Sequence, residues 1–196
     1  MISPVLANIY LHYVLDMWFD KVIKAKCQGD AYIVRYADDF VCMFQYESEA
    51  NAFYTSLKER LAKFGLELAE DKSRIIRFGR FAKEHSADGR TETFDFLGFT
   101  HINGQTRTGK YRVVHRTSKK KLVVKKQIVK AWLKENMHGK LSETIKRLNK
   151  KLVGHYRYYG ISGNIESVIK YRRFVEIALY KVLYYRSKTF AINKDL

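Results

Sequence analysis

The sequence predicts an α+β unit followed by an all-α, strongly basic bundle. Three observations carry this. First, two runs rich in Tyr, Ile, Val and Phe, Ala31–Tyr36 and Phe40–Gln45, flank a short acidic break at Ala37-Asp38-Asp39, which reads as two strands and a turn. Second, apolar residues recur at three and four on both sides of that hairpin, the period of a buried helix face. Third, six of the eleven residues from Arg116 to Lys126 are Lys or Arg, and only helical periodicity follows them. The step between the two regimes lies near residues 110–118, so the expected domains are 1–115 and 116–196.

In chain order, Ser3-Pro4 opens the first helix, with Ser as cap and Pro in the first turn. Leu6, Ile9, Tyr10, Tyr13, Val14, Met17 and Trp18 are its expected core face. Asn8, His12, Asp16 and Asp20 recur at spacing four on the opposite side and read as a solvated stripe. After the hairpin, Glu47 to Phe64 is amphipathic, with Ala50, Phe53, Leu57, Leu61 and Phe64 inward, and Gly65 stops it at the left-handed position. Leu66-Glu-Leu68 and Arg74–Phe78 read as short strands around an Asp71-Lys-Ser73 turn, and Phe81 to Thr93 as a loop. Thr93–Thr100 is an apolar strand broken at Gly98. Asn103-Gly104 is a strong hairpin dipeptide, with the next strand at Lys110–His115.

Three helices follow. Lys119 to Asn136 turns Val124, Ile128, Trp132 and Leu133 inward. Leu141 to Tyr159 turns Leu141, Ile145, Leu148, Leu152, Tyr156 and Tyr159 inward and stops at Gly160. The last is capped by Asn164 and buries Ile165, Val168, Ile169, Val175, Leu179, Val182 and Leu183.

Composition narrows the function. With 46% hydrophobic residues among 196, the chain can bury a sizeable core. No stretch reaches the apolar length of a membrane span, and no secretory leader is visible. Cys27 and Cys42 show no paired spacing, so a reduced, cytoplasmic setting is expected and no zinc site. Lys and Arg number 37 against 20 acids, a net charge of +17. A charge that far from zero is usually held for a polyanion. Its interleaving with 14 tyrosines favours nucleic acid, since aromatic rings stack on unpaired bases.

The acid pair is the focus. Adjacent carboxylates repel, and a fold keeps them at low cost only if both are solvated or share a cation. Magnesium takes a few carboxylates and leaves its other positions to water and phosphate oxygens. The residues alone leave open a phosphate-handling metal site and a plain solvated turn.

The order of segments is more specific than any one of them. Ser3-Pro-Val-Leu-Ala-Asn-Ile-Tyr-Leu11, Tyr36-Ala-Asp-Asp39, Leu66-Glu-Leu-Ala-Glu-Asp-Lys-Ser73, Phe96-Leu-Gly-Phe99 and Leu148-Asn-Lys-Lys-Leu-Val-Gly-His-Tyr-Arg-Tyr-Tyr-Gly160 follow one another. This resembles the C-terminal half of a bacterial group II intron reverse transcriptase, or maturase. The resemblance implies a partial polymerase palm, an antiparallel sheet with packed helices, over 1–115. A helical thumb or maturase domain follows over 116–196.

It implies two Mg2+ ions in the complete site, with Asp38 a direct ligand and Asp39 a ligand or its neighbour. Tyr36 and Ala37 would border the primer end and the incoming nucleotide. Phe96, Leu97 and Gly98 would grip the primer, and Lys72 would protonate the leaving pyrophosphate or steady its charge. Read on its own, Lys72 is a solvated turn lysine, and only the resemblance sets the general-acid role beside that reading. Lys119, Lys120, Lys121, Lys125 and Lys126 would track phosphate. His155, Arg157, Tyr158, Arg172 and Arg173 would reach template–primer duplex or folded intron RNA.

The implied partners are an RNA template, its RNA–DNA duplex and group II intron RNA, with no membrane. Family members carry fingers and a further catalytic aspartate before their Pro-Gln-Gly box, which this sequence lacks. The chain alone is therefore expected to have no useful polymerase activity without that N-terminal half. The alternatives are a non-catalytic RNA-binding maturase module that aids splicing, and a remnant with no activity.

Overall fold

The structure, a computed structural model, describes residues 3–84 and 89–192. The chain divides into two compact units, Met1–Arg77 and Phe78–Leu196. Both are mixtures of helix and antiparallel sheet.

In the first unit, α1 (Ser3–Leu11) runs through two wider helical turns, His12–Asp16 and Phe19–Ile23, into α2 (Lys24–Lys26). The backbone stays right-handed throughout and turns extended only at Cys27, where ψ reaches 138°. Each wide turn closes its hydrogen bond one residue later than an α-turn and so shifts the apolar face. Val14, Leu15, Phe19 and Ile23 are buried, while Leu6, Ile9, Tyr10 and Tyr13 of the expected core face are exposed. The cap expected of Ser3 concerns a side chain outside those described.

Strands β1 (Ala31–Tyr36) and β2 (Asp39–Phe44) pair antiparallel from Ala31↔Phe44 to Tyr36↔Asp39, the expected hairpin. α3 (Glu47–Lys63) covers it with Phe53, Leu57 and Leu61, and Gly65, at φ 66°, ends it as expected. The rings of Phe19, Phe44 and Phe53 meet at centroid distances of 5.1 to 5.8 Å and form the centre of this core. The strands expected at 66–68 and 74–78 do not form. Leu66 and Leu68 pack against the core, but neither segment pairs into a ladder with another among the described residues.

The second unit opens with a meander: β3 (Thr93–Phe96), β4 (Phe99–Gln105) and β5 (Tyr111–Thr117). The Asn103-Gly104 turn is corrected. Both residues lie inside β4, opposite Val113 and Arg112, and the chain reverses instead at Thr106–Lys110. Asn103 is held there because its amide oxygen accepts the Tyr111 hydroxyl at 2.9 Å and the Gly79 N–H at 3.0 Å. Gly104 faces Val114, whose Cγ2 would stand 2.6 Å from any added Cβ. The apolar run over 93–100 is likewise two strands, folded at Leu97-Gly98. Of the loop expected over Phe81–Thr93, residues 85–88 lie outside the described set.

Helices α4 (Lys119–Glu135), α5 (Leu141–Tyr159) and α6 (Ile165–Ile192) follow, close to their expected bounds. Their core is Val129, Leu133, Leu148, Tyr171 and Val175. Val124, Ile128, Ile165 and Ile169, expected inward, are exposed, as are Leu141 and Ile145 near the start of α5. His155, expected at a nucleic-acid surface, is buried instead between Tyr159 and Tyr171, at ring distances of 4.7 and 4.1 Å.

The division at Arg77/Phe78 falls well before the composition step at 115–116, because β3–β5 are fastened to the helices that follow. Asn164, fully buried, accepts the Thr117 N–H at 2.7 Å and donates to the Thr117 hydroxyl at 2.9 Å and the Tyr159 carbonyl at 2.8 Å. It stands at the start of α6 as expected, yet its side chain ties the sheet to α5 rather than capping its own helix.

Two outcomes follow from this packing. Asn164→Ala strands the buried Thr117 N–H, while the Tyr159 carbonyl keeps the Ile161 N–H at 2.9 Å, so unfolding in urea should lose roughly 1–3 kcal/mol, the cost of one stranded group. Burial and the nearby Lys125 ammonium, 3.4 Å from its Nδ1, lower His155 to about 4. The unfolded chain takes that proton near its ordinary value of about 6.5. Stability contributed by neutral His155 is therefore full above that pH and falls as pH drops toward about 4. Urea midpoints at pH 7.5 and 4.5 should differ less in His155→Phe than in the wild type.

Candidate active site

Alternation along β1 sets the site. Ala31, Ile33 and Arg35 face the helices, while Tyr32, Val34 and Tyr36 face out. An arginine on the inward side must be paired, and it is. Arg35, with 12% of its side chain exposed, donates Nε and Nη2 to the two Asp16 carboxylate oxygens at 2.7 and 2.6 Å. Its Nη1 donates to Asn8 Oδ1 at 3.0 Å and to the Ala37 carbonyl at 2.8 Å. The Arg35 guanidinium holds the Asp16 carboxyl below the usual range, and Asp16 in turn raises Arg35. His12 Nδ1 stands 3.3 Å from the same carboxylate.

Ala37 and Asp38 make the two-residue turn. Ala37 has φ 55°, a left-handed conformation that costs an L-residue about 1–2 kcal/mol. A hydrogen bond from a charged donor, worth about 1.5–3 kcal/mol, offsets this. Asp38 lies in the turn, Asp39 opens β2 opposite Tyr36, and both acids are exposed. Neither forms an ion pair or hydrogen bond with a described residue. Tyr36 beside them is 66% exposed. Two neighbouring carboxylates without cationic partners suit one divalent cation whose other positions go to water and phosphate oxygens. Among the described residues, no cluster of three His, Cys, Asp or Glu side chains forms around them.

Lys72 is exposed in the Ala69–Ser73 turn, where its N–H bonds the Ala69 carbonyl at 3.1 Å. Cys42 lies opposite Ile33 in the hairpin, and burial pushes its thiol up to about 12, which leaves it protonated at neutral pH. Both cysteines are free.

In the second unit, Phe96-Leu-Gly-Phe99 is a tight hairpin with both central residues left-handed, Leu97 at φ 49° and Gly98 at φ 78°. The Tyr158 hydroxyl donates to the Leu97 carbonyl at 2.8 Å, and the Ser118 N–H to the Gly98 carbonyl at 2.9 Å. The space that a side chain on Gly98 would take is filled by the Tyr159 hydroxyl, 2.9 Å from the Cβ position. Phe99 stacks on Tyr158 with ring centroids 5.7 Å apart.

The basic residues divide into two sets. Lys119, Lys120, Lys121, Arg157, Arg172 and Arg173 are exposed, with Arg172 paired to Glu176 at 2.7 Å. Lys125 and Lys126 fold back over the Tyr159 and Phe174 rings, at 4.4 and 5.1 Å. No helix among the described residues is long and apolar enough to cross a membrane.

The sequence reading missed Arg35, Asp16 and Asn8 as one cluster. The signal was present: the single charge in an apolar strand, and a polar stripe at spacing four whose middle positions have an arginine to meet. Tyr158 carried no such signal, since only the fold brings it to Leu97.

Comparison with curated proteins gives no match. The family model described as reverse transcriptase (RNA-dependent DNA polymerase) matches residues 1–101 of 196, just over half of the chain. The matched stretch holds the Tyr36–Asp39 turn, the helices that brace it and the Leu97-Gly98 hairpin, so the chain belongs to the reverse transcriptase family.

Proposed function

We propose that the chain is the palm portion (1–115) and thumb (116–196) of a reverse transcriptase of the group II intron type. In this reading it acts in magnesium-dependent copying of RNA into DNA. The observation that carries it is the hairpin tip: two exposed, unpartnered carboxylates, Asp38 and Asp39, in a turn braced from beneath and lying within the family match. Magnesium, when bound there, would supply the charge that activates a primer hydroxyl and holds a triphosphate.

Asp38 and Asp39 hold the cation from one side. A further carboxylate from elsewhere in the polymerase completes the two-ion site, since such sites draw ligands from more than one strand. Tyr36 and Ala37 border the reacting ends. Lys72 stands as the proton donor to pyrophosphate, a general-acid role. Phe96, Leu97 and Gly98 form the primer-side hairpin. Lys119, Lys120 and Lys121, with Arg157, Arg172 and Arg173, run along the phosphates of a template–primer duplex or of intron RNA. Lys125 and Lys126, whose ammonium groups lie over the Tyr159 and Phe174 rings, add positive charge to the same phosphate track.

The second reading is a maturase module that binds intron RNA without chemistry. It is favoured by the two-carboxylate limit among the described residues and by the +17 charge.

Two measurements test these readings. RNA-templated primer extension, with the chain supplied with a polypeptide carrying a reverse transcriptase fingers and upstream palm, should require Mg2+. Asp38→Asn should reduce it on the order of a hundredfold or more while RNA affinity holds. Absence of extension with tight RNA binding would favour the second reading. In a salt titration of RNA binding, six phosphate contacts give a log–log slope of about −4 to −5. Replacing Lys119, Lys120 and Lys121 with Ala should flatten that slope by about 2–3. A flat wild-type titration would remove the basic surface from both readings.

A further inference from the structure

Resting on the reading of Asp38 and Asp39 as cation ligands, we propose that Arg35 is the positioning residue of the pair. It fixes the Ala37–Asp38 peptide in the one turn conformation that presents both carboxylates together. The contact is specific in kind. Nη1 donates at 2.8 Å to the carbonyl of the peptide that enters Asp38, and rotation of that peptide would swing the Asp38 side chain away from Asp39.

The guanidinium cannot follow such a rotation. Asp16 holds its Nε and Nη2 at 2.7 and 2.6 Å, and Asn8 holds its Nη1 at 3.0 Å. Arg35 thus joins a helix to a turn by a planar group fixed on both edges. A lysine ammonium, a single point charge on a flexible stem, reproduces one of these contacts but not the set.

The turn needs such a hold because Ala37, at φ 55°, has a Cβ where glycine would sit without strain. Left alone, the peptide would relax toward ordinary φ and separate the carboxylates. Arg35 acts through Ala37 and touches no reacting atom in this account.

The test uses the full chain and Mn2+ as probe, read by paramagnetic broadening of the Asp38 and Asp39 amide resonances, with circular dichroism as the check on folding. The wild type should broaden at the hairpin, and Asp38→Asn should abolish this. Arg35→Lys should weaken apparent Mn2+ affinity about tenfold, the range seen when an outer partner of a metal ligand is lost. Adding Ala37→Gly to Arg35→Lys should recover most of that loss, because glycine takes the left-handed turn unaided.

Should Arg35→Lys lose its fold, Asp16→Asn loosens one edge of the guanidinium with Arg35 in place and should weaken binding in the same direction. Wild-type affinity in a folded Arg35→Lys, or in Asp16→Asn where that variant replaces it, overturns the positioning role alone. So does a loss that Ala37→Gly fails to recover. No hairpin broadening in the wild type, or broadening unchanged in Asp38→Asn, overturns the cation reading and this inference with it.

Discussion

A guanidinium has two hydrogen-bonding edges, and Arg35 uses both. One edge grips Asp16 at 2.6 and 2.7 Å, and the remaining nitrogen reaches Asn8 and the Ala37 carbonyl. The charge faces the packed side of the hairpin, where an unpaired cation would be costly. Pairing with Asp16 satisfies it, and its geometry then determines how the turn above is built. The long N-terminal helix, the first strand and the acid pair are joined through this one side chain. Replacing the set with apolar residues would keep the core and lose the link between helix and turn.

The second unit solves a similar problem with neutral groups. Leu97, like Ala37, is a residue with a Cβ in left-handed backbone, and its carbonyl also accepts from a side chain, here the Tyr158 hydroxyl of α5 rather than a group on the hairpin's own strand. Gly98 beside it is required twice over, by its φ of 78° and by the Tyr159 hydroxyl that occupies the side-chain space. In each hairpin the hold on the strained turn depends on a residue far away in sequence, Asp16 and Asn8 through Arg35 in the first and Tyr158 directly in the second, so the turn is stable only in the folded unit.

That distance explains what the sequence could and could not tell. The hairpin, the helices near 47–63, 119–135 and 141–159 and the acid pair at the tip were legible because period, turn residues and charge are local signals. The inward face of the first helix was legible at Val14 and Trp18 only, since two wide turns bring Leu15, Phe19 and Ile23 inward beside them while Leu6, Ile9 and Tyr13 stay exposed. Asn103-Gly104 misled for a similar reason. A dipeptide that favours a turn was held in a strand by Tyr111, Gly79 and the bulk of Val114. His155 read as a surface base because a histidine among Arg and Tyr does so by default, and three surrounding aromatic or basic side chains had to be placed before its burial was visible. Arg35 was hidden by the opposite habit: an arginine near two aspartates suggests solvent, while strand alternation put it inside.

The wide turns at His12–Asp16 and Phe19–Ile23 leave the backbone helical on either side. Each accommodates one surplus residue without breaking the rod. The helix is therefore tolerant of small changes in spacing between its exposed entrance and its buried half. Removing the surplus residue within either turn would tighten it to ordinary pitch and leave the flanking faces nearly in place, whereas removing one from the regular helix between Asn8 and His12 would rotate everything upstream by about a hundred degrees, given 3.6 residues per turn. Asn8 would then point away from Arg35 while Phe19 and Ile23 kept their places. Such a deletion would uncouple how well the unit holds together from how well its hairpin tip is aimed.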